Sequence, residues 1–370
     1  IGCEPSECVV IEDSINGIKA GHAAGMKVIH IPDTIEINDD IRRLTSVVCH
    51  SLSDVPDIID TWNEGKVADV EGYYENAKIN RVYVDRVHVK KAFAEYTAAY
   101  NADDPKIKLK IDHTYRVAAL CERIAKAAGM CAYDVELAWL SGMLHDVGRF
   151  EQIKRYNTFS DADSVDHAKF GADLLFKDGL ISTFLNGMVK CTGYKPGALE
   201  DRYSSDGVFL YDRLNKSDME MLELAIRCHN MYRIPQGLNR REQAFCNVLR
   251  DADKVDIFKV NIDTPLEEIY NTTTEELMKS DITDEVLEAF DEEHCILKAI
   301  RRTPADTVIG HVSLAYELVY DESVRITVEQ GYLAKLMHFH SDNEETNRKM
   351  AMVREKMDSY VKKRIGEKDA

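Results

Sequence analysis

The chain has 370 residues, a formal net charge of −18 and a hydrophobic content of 45%. This length and apolar content suffice for two domains with cores of their own, and the negative charge excludes broad binding to a nucleic acid polymer. No apolar run approaches the roughly 20 residues that span a bilayer, and no signal peptide is evident, so we expect a cytoplasmic protein without a membrane partner.

Residues 1–62 have α/β character. The short apolar run from Cys8 to Ile11 is typical of a buried parallel strand. A helical stretch closed by Gly25 follows, and Lys27 to Ile31 is the next predicted strand. Strand, helix and strand together predict a βαβ unit, which requires further parallel strands to pack against.

The same segment resembles the C-terminal end of a haloacid-dehalogenase-like phosphatase of the β-phosphoglucomutase type. The resemblance is carried by Pro5, the run Val9-Val10-Ile11-Glu12-Asp13-Ser14, Gly17, Ala20 and the run Ala23-Ala24-Gly25-Met26. It implies that Glu12 and Asp13 help to hold Mg²⁺, and a simple turn at the strand end is the alternative interpretation. The nucleophilic Asp of that family would lie upstream, and nothing in the 370 residues replaces it. We therefore expect a partial, Rossmann-like domain without phosphatase activity in a chain that, starting at Ile1, is a fragment of a longer protein.

Residues 63–88 have no sustained periodicity and are predicted to be a linker. From Val89 onward the pattern becomes helical and remains so, which predicts a mainly α domain over residues 89–340. The predicted helices cover residues 110–128, 133–148, 164–177, 180–190, 217–232, 240–259, 283–301, 305–320, 330–340 and 344–364. The last belongs to a charged C-terminal segment, residues 341–370, and is predicted to be a solvent-exposed helix.

The predicted helix over 133–148 is apolar on nearly all faces until it reaches His145 and Asp146. We expect both residues at its C-terminal end and expect Gly148 to end the helix. A carboxylate held among apolar groups costs several kcal/mol unless something pairs with it, and a cation is the simplest partner. A buried pair of hydrogen-bonded side chains is the alternative interpretation.

Four more residues share this setting, on or at the end of a predicted helix and beside apolar neighbours: His113, His167, His229 and Asp253. Each histidine alone would be an ordinary core or surface residue. As a set with His145 and Asp146, they offer the mixture of imidazole and carboxylate that suits Mn²⁺, Fe²⁺, Zn²⁺ or Ni²⁺ at a catalytic site.

The order His113, His145-Asp146, Asp253 resembles that of the HD-domain metal-dependent phosphohydrolases, and the interposed His167 and His229 resemble the variant with two ions. The resemblance covers about residues 90–340 and implies an all-helical HD-domain bundle. It further implies that His113, His145, Asp146 and Asp253 hold one ion, and that Asp146 bridges to a second ion held by His167 and His229.

Within this superfamily, the stretches His145–Gln152 and Asp166–Gly171 are similar to those of uncharacterised bacterial HD-domain proteins. The segment that follows His229 departs from the cyclic-dinucleotide phosphodiesterases called HD-GYP. Asn230 stands where they carry a second His, and Arg233-Ile234-Pro235 replaces their Gly-Tyr-Pro. The departure argues against cleavage of cyclic di-GMP.

The resemblance predicts a hydrolase that cleaves a phosphate mono- or diester of a small, nucleotide-like substrate with metal-activated water. We expect two divalent cations, without a distinction among Mn, Fe, Mg, Zn and Ni. Asp146 is predicted to serve both ions, and Arg149 and Lys254 to meet phosphate oxygens, with surface ion pairs as the alternative for both. Asp251 or Asp256 could orient a ligand. The rival hypothesis is a non-catalytic HD module that senses a nucleotide or metal and regulates a haloacid-dehalogenase-like phosphatase. The oligomeric state stays open.

Overall fold

The chain contains a small parallel sheet near its N-terminus and a much larger helical region after it. The computed structural model describes residues 3–31, 41, 44–48, 52, 55–63, 84–101, 103–130, 132–185, 190–191, 209–210 and 216–366. The predicted linker falls largely on residues 64–83, which lie outside the described residues. No helix in the described ranges is long and apolar enough to cross a membrane.

The N-terminal sheet has three parallel strands in the order β1-β2-β3. The elements are a 3₁₀ turn (Pro5–Glu7), β1 (Val9–Glu12), α1 (Ile15–Ala23), β2 (Lys27–His30), β3 (Val47–Val48) and α2 (Val55–Asn63). Gly25 follows α1 with φ +78°, a left-handed conformation that lets the chain turn back into β2. The predicted βαβ unit is confirmed, and β3 adds the further parallel strand that such a unit requires.

The rest of the described chain is almost entirely helical. Its helices are α3 (Arg86–Thr97), α4 (Pro105–Ala127), α5 (Ala132–Leu144), α6 (Val147–Tyr156), α7 (His167–Ala172), α8 (Ile181–Leu185), α9 (Lys216–Cys228), α10 (Arg240–Asp263), α11 (Leu266–Tyr270), α12 (Thr274–Lys279), α13 (Asp284–Asp291), α14 (Pro304–Val312), α15 (Asp321–Gln330), α16 (Tyr332–Met337) and α17 (Glu344–Ile365). A π-helical segment (Asp173–Lys177) continues α7, 3₁₀ turns cover Lys298–Ile300 and Ser313–Glu317, and β4 (Lys190–Cys191) pairs antiparallel with β5 (Phe209–Leu210).

Two long helices, α4 and α10, form the centre of this region, and α5 packs along both. Their starts are locally encoded. Asp104 accepts a hydrogen bond from the Lys106 amide just before Pro105 opens α4, and Asn239 and Glu242 form a capping box at the start of α10. Both helices bury residues along most of their length in one core, and this core fixes the relative positions of the side chains they carry.

The prediction of a helix over 133–148 is wrong at the C-terminal end of that range. α5 stops at Leu144, and α6 begins at Val147, so His145 and Asp146 occupy a break between two helices. Gly148 is the second residue of α6 and does not end a helix. Its role is close packing, because a Cβ at this position would lie 2.5 Å from the carbonyl oxygen of His167 on α7.

Two further predictions differ from the structure. The helix predicted over 283–301 ends at Asp291, where the chain turns through Glu293 in a left-handed conformation. The C-terminal helix is not a solvent-exposed one, since α17 buries Met350, Val353 and Met357 in the main core. Its charged residues cover only the outer face.

Candidate metal centre

His145 and His229 reach the centre of the bundle in the same way. Each residue directly follows the end of a helix, α5 or α9, and its Nδ1 donates a hydrogen bond of 2.7 Å to a carbonyl of the last turn, that of Gly142 or Ile226. The side chains therefore satisfy carbonyls that the helix leaves without partners. Because the C-terminal end of a helix carries partial negative charge, two such ends favour a cation between them.

His113 and His167 are oriented by carboxylates instead. Nδ1 of His113, on α4, donates to Asp256 Oδ2 at 2.6 Å, and Nδ1 of His167, the first residue of α7, donates to Asp161 Oδ2 at 2.7 Å. Carbonyl and carboxylate oxygens only accept hydrogen bonds, so in all four histidines Nδ1 is the protonated nitrogen. The four Nε2 atoms are left free to act as ligands.

The free nitrogens face each other in pairs. Nε2 of His113 lies 3.3 Å from Nε2 of His145, and Nε2 of His167 lies 3.1 Å from Nε2 of His229. Two nitrogens bound to one ion at about 2.1 Å lie about 3–3.5 Å apart, and this is the spacing found in both pairs. The donor set therefore fits two cations, each held by one pair.

Asp146 lies between the two pairs and presents one oxygen to each. Its Oδ2 is 3.5 Å from the Nε2 atoms of both His113 and His145, and its Oδ1 is 3.6 and 3.7 Å from those of His167 and His229. The side chain is only 2% exposed, and Oδ1 has no hydrogen-bond partner in the described part of the chain. A buried oxygen in this state is costly unless a cation meets it.

Asp253, on α10, adds a carboxylate to the first pair of histidines, His113 and His145. Its Oδ1 is 3.2 Å from Nε2 of His113 and 4.0 Å from Nε2 of His145. The structure thus brings together all six residues that the sequence nominates as metal ligands, although they come from five separate parts of the chain.

The protonation states of His145, His167 and Asp146 suit metal binding. Burial lowers the pKa of His145 to about 3 and that of His167 to about 4, so both imidazoles are neutral near pH 7. Burial opposes the ionisation of Asp146, but Lys110 and the nearby imidazoles hold its pKa well below the ordinary value. Burial also lowers the pKa of His113, yet hydrogen bonds with Asp253 and Asp256 outweigh it and raise that pKa overall.

Lys110 is a member of the centre that the sequence reasoning missed. Its Nζ lies 2.7 Å from Oδ2 of Asp146, and its side chain is 17% exposed. Lys110 precedes His113 by three residues on α4 and therefore shares its face of the helix. That spacing is the signal by which the sequence could have identified it.

Arg149 lies beside the centre, where its Nε is 3.8 Å from Asp146 Oδ1 and has no hydrogen-bond partner in the described chain. Its Nη1 donates to three oxygens, those of the Gln152 side chain, the Phe159 carbonyl and the Asp161 carboxylate, at 2.7–3.0 Å. Arg149 therefore also holds the loop that carries Asp161.

The remaining candidates on α10 divide by function. Asp256 orients His113 and is itself held by Arg116, whose Nε donates to Oδ1 at 2.6 Å. Asp251 instead accepts hydrogen bonds from the amides of Val319 and Tyr320 and stabilises the start of α15. Lys254 is 9% exposed and has no hydrogen bond or ion pair within the described ranges.

Asp161, which orients His167, was not nominated from the sequence.

Comparison with known proteins gives one family. Residues 111–260 match the HD domain, a superfamily whose members are typically metal-dependent phosphohydrolases. A stretch of 51 residues is 41% identical to the uncharacterized protein C4C5.01 of Schizosaccharomyces pombe and covers 13% of this chain. The chain thus matches about a fifth, 20%, of the length of that relative. No solved structure is similar to the chain.

Proposed function

We propose that the HD domain of this chain binds two divalent cations and hydrolyses a phosphate mono- or diester of a small, nucleotide-like substrate. The observation that carries the proposal is the position of Asp146, whose two oxygens face two different pairs of imidazoles at 3.5–3.7 Å. A carboxylate can bridge two ions in this way, whereas an imidazole cannot.

The ligands separate into two sets. His113, His145 and Asp253 would hold one ion with Oδ2 of Asp146, and His167 and His229 would hold the other with Oδ1. Such a pair of ions lowers the pKa of a bound water and neutralises charge on phosphoryl oxygens. The nitrogen and oxygen donors do not distinguish Mn, Fe, Mg, Zn or Ni.

Arg149 and Lys254 are proposed to bind the substrate phosphate. The Nε of Arg149 is buried near Asp146 without an acceptor, so it is available to donate to a phosphoryl oxygen. Lys254 follows the proposed ligand Asp253 directly on α10, and the Asp253 carboxylate is among the charges that act on its ammonium. Lys110 neutralises Asp146 and keeps the carboxylate in place before the ions bind.

The N-terminal segment is proposed to be part of a haloacid-dehalogenase-like domain that has no phosphatase activity in this chain. Three parallel strands and a connecting helix support the proposal. Glu12 at the end of β1 accepts a hydrogen bond from the Ser14 hydroxyl at 3.0 Å. It sits at the strand end where that family's metal-binding acids lie.

The direct test replaces Asp146 by Ala. We expect purified wild-type protein that is supplied with Mn²⁺ to bind two ions per chain and to hydrolyse members of a panel of phosphate esters. In Asp146→Ala both ions are lost and turnover falls by at least about 1,000-fold, because one side chain serves both sites. Elemental analysis gives the metal content, and phosphate release gives the turnover.

Asp163→Ala is the matched control, because Asp163 is exposed in the nearby loop and should leave both measurements unchanged. Tight Mn²⁺ binding without turnover of any ester would support the sensing module instead. A wild-type protein that binds no metal would reject both the hydrolase and a metal-sensing module.

A further inference from the structure

A cavity of about 420 Å³ is lined by the loop after His229 and by helix α10. Its walls include Tyr232, three residues after the ligand His229, and Arg250, three residues before the ligand Asp253. Both residues are therefore only three positions along the chain from a proposed metal ligand. This short separation indicates that a substrate bound at the ions can extend into the cavity.

Arg250 is the buried cation of the cavity. It is only 8% exposed, and its Nη2 donates to the backbone carbonyls of Met231 and Tyr232 at 2.9 and 3.1 Å. Its Nε is buried and has no partner in the described chain. The carboxylate of Glu317 is 3.9 Å away, which is too far for a hydrogen bond. A buried guanidinium in this state retains unused capacity to bind an anion.

Other cations surround Arg250. Lys254, one helical turn further along α10, is 9% exposed and has no ion pair among the described residues. Arg233 lines the cavity on its open side, with its guanidinium 5.5 Å from the ring of Tyr232. Asp251, the nearest acid on the helix, already accepts hydrogen bonds from backbone amides. The negative charge of Glu317 is therefore outweighed by the positive charges of Arg250, Lys254 and Arg233, although the net charge of the protein is −18.

We propose that this cavity binds a second anionic group of the substrate, a further phosphate or a carboxylate, while the scissile phosphate lies at the ions. The inference rests on the proposed function and specifies its substrate class. Arg250 and Arg233 donate to the anion through their free N–H groups, and Gln236 and Gln243 line the same cavity as neutral donors. Small phosphate esters with two anionic groups are thus preferred over esters of neutral alcohols.

Calorimetric titration of metal-free protein with inorganic phosphate tests the proposal, because without ions only side chains can bind the anion and variants of the cavity arginines report the contribution of the cavity. We expect saturable binding that weakens at least 10-fold in Arg250→Met and at least 3-fold in Arg233→Met. The control is Arg302→Met, because Arg302 is exposed and its side chain pairs with Glu285 on another face. This variant should bind phosphate as the wild type does.

Equal binding by all variants, or no binding by the wild type, would overturn the proposal. Circular dichroism shows whether Arg250→Met folds, and if it does not, the exposed Arg233 decides the outcome. A parallel Mn²⁺ titration separates this inference from the proposed function. Mn²⁺ binding without phosphate binding rejects only the anion cavity, and phosphate binding without Mn²⁺ binding rejects only the metal centre.

Discussion

At Asp146, burial destabilises the ionised carboxylate, and the positive charge of Lys110 stabilises it. Moving an ionised carboxylate into the interior costs several kcal/mol unless a cation compensates for it. Lys110 supplies that cation at Oδ2, at a distance of 2.7 Å, and Oδ1 stays without a partner in the described chain. The same oxygen that Lys110 contacts faces the His113 and His145 pair, so the ammonium would compete for it with an ion bound at that pair.

Removal of the Lys110 charge should therefore have two opposite effects. In Lys110→Met the metal-free protein loses about 3 kcal/mol of unfolding free energy, because Asp146 is left buried without its cation. Affinity for the first Mn²⁺ rises about 10-fold, equivalent to about 1.4 kcal/mol, because the competing ammonium is gone. Urea unfolding and calorimetry measure the two quantities.

Lys108→Met is the control for this change. Lys108 lies on the same helix but is exposed, so both quantities should stay at their wild-type values. A weaker affinity of Lys110→Met for Mn²⁺ would show that Lys110 supports the loaded centre and does not compete with the ion.

At the level of elements, the position of His167, and with it the geometry of the second histidine pair, depends on how closely α6 and α7 approach each other. A Cβ on Gly148 would lie 2.5 Å from the His167 carbonyl oxygen and 2.7 Å from the Gly171 amide nitrogen. These neighbours are backbone atoms and cannot rotate away. Glycine at 148 thus sets the distance between Asp146, just before α6, and His167, at the start of α7.

Gly148→Ala should separate these helices. We expect a loss of about 1–3 kcal/mol in unfolding free energy, as in other overpacked contacts. We also expect Mn²⁺ affinity to fall at the His167 and His229 site, and less so at the His113 and His145 site. Calorimetric titration that resolves the two ions, together with urea unfolding, tests both expectations.

Lys154→Ala provides the comparison on the same helix, because Lys154 is 60% exposed and its contacts, an ion pair with Glu151 and a cation–π contact with Tyr100, lie at the surface. It should change neither stability nor affinity by a measurable amount. Two unchanged Mn²⁺ affinities in Gly148→Ala would mean that the close contact of α6 and α7 does not position His167.

On the scale of the whole molecule, the helical region has one continuous core. Buried residues from Val84 to Ile365 belong to the same cluster, which includes the inner face of α17. The proposed metal ligands span the chain from His113 to Asp253, so they come together only when this core is assembled. We therefore expect residues far from the centre to affect metal binding through stability.

Met357→Ala tests the contribution of the C-terminal helix. Met357 is fully buried on α17, and truncation should cost about 2–5 kcal/mol of unfolding free energy. The matched control, Met352→Ala, removes the same side chain from a position of α17 that is 39% exposed, and should cost less than about 0.5 kcal/mol. Equal midpoints of the two variants in urea would show that α17 is not part of the core.

The sequence alone determined the helical character of the HD domain, the N-terminal βαβ unit and the identity of the six residues that meet at the centre. These features follow from local periodicity and from residue types whose chemistry is specific, so neighbouring residues in the chain suffice to predict them. The break after Leu144 was not predictable in this way, because apolar periodicity continues through it and only the His145 side chain, bound to Gly142, marks the end of α5.

Only the tertiary structure decided which side chains contact which of the candidate ligands. Lys110, Asp161 and Asp256 act on ligands that lie 36, 6 and 143 residues away, and no local pattern states which acid faces which imidazole. Asp256 binds His113, whereas Asp251, on the same helix, binds backbone amides before α15. This difference depends on what packs against each face of α10. The sequence carries the donors, and the packing of α4, α6, α7 and α10 determines which atoms they meet.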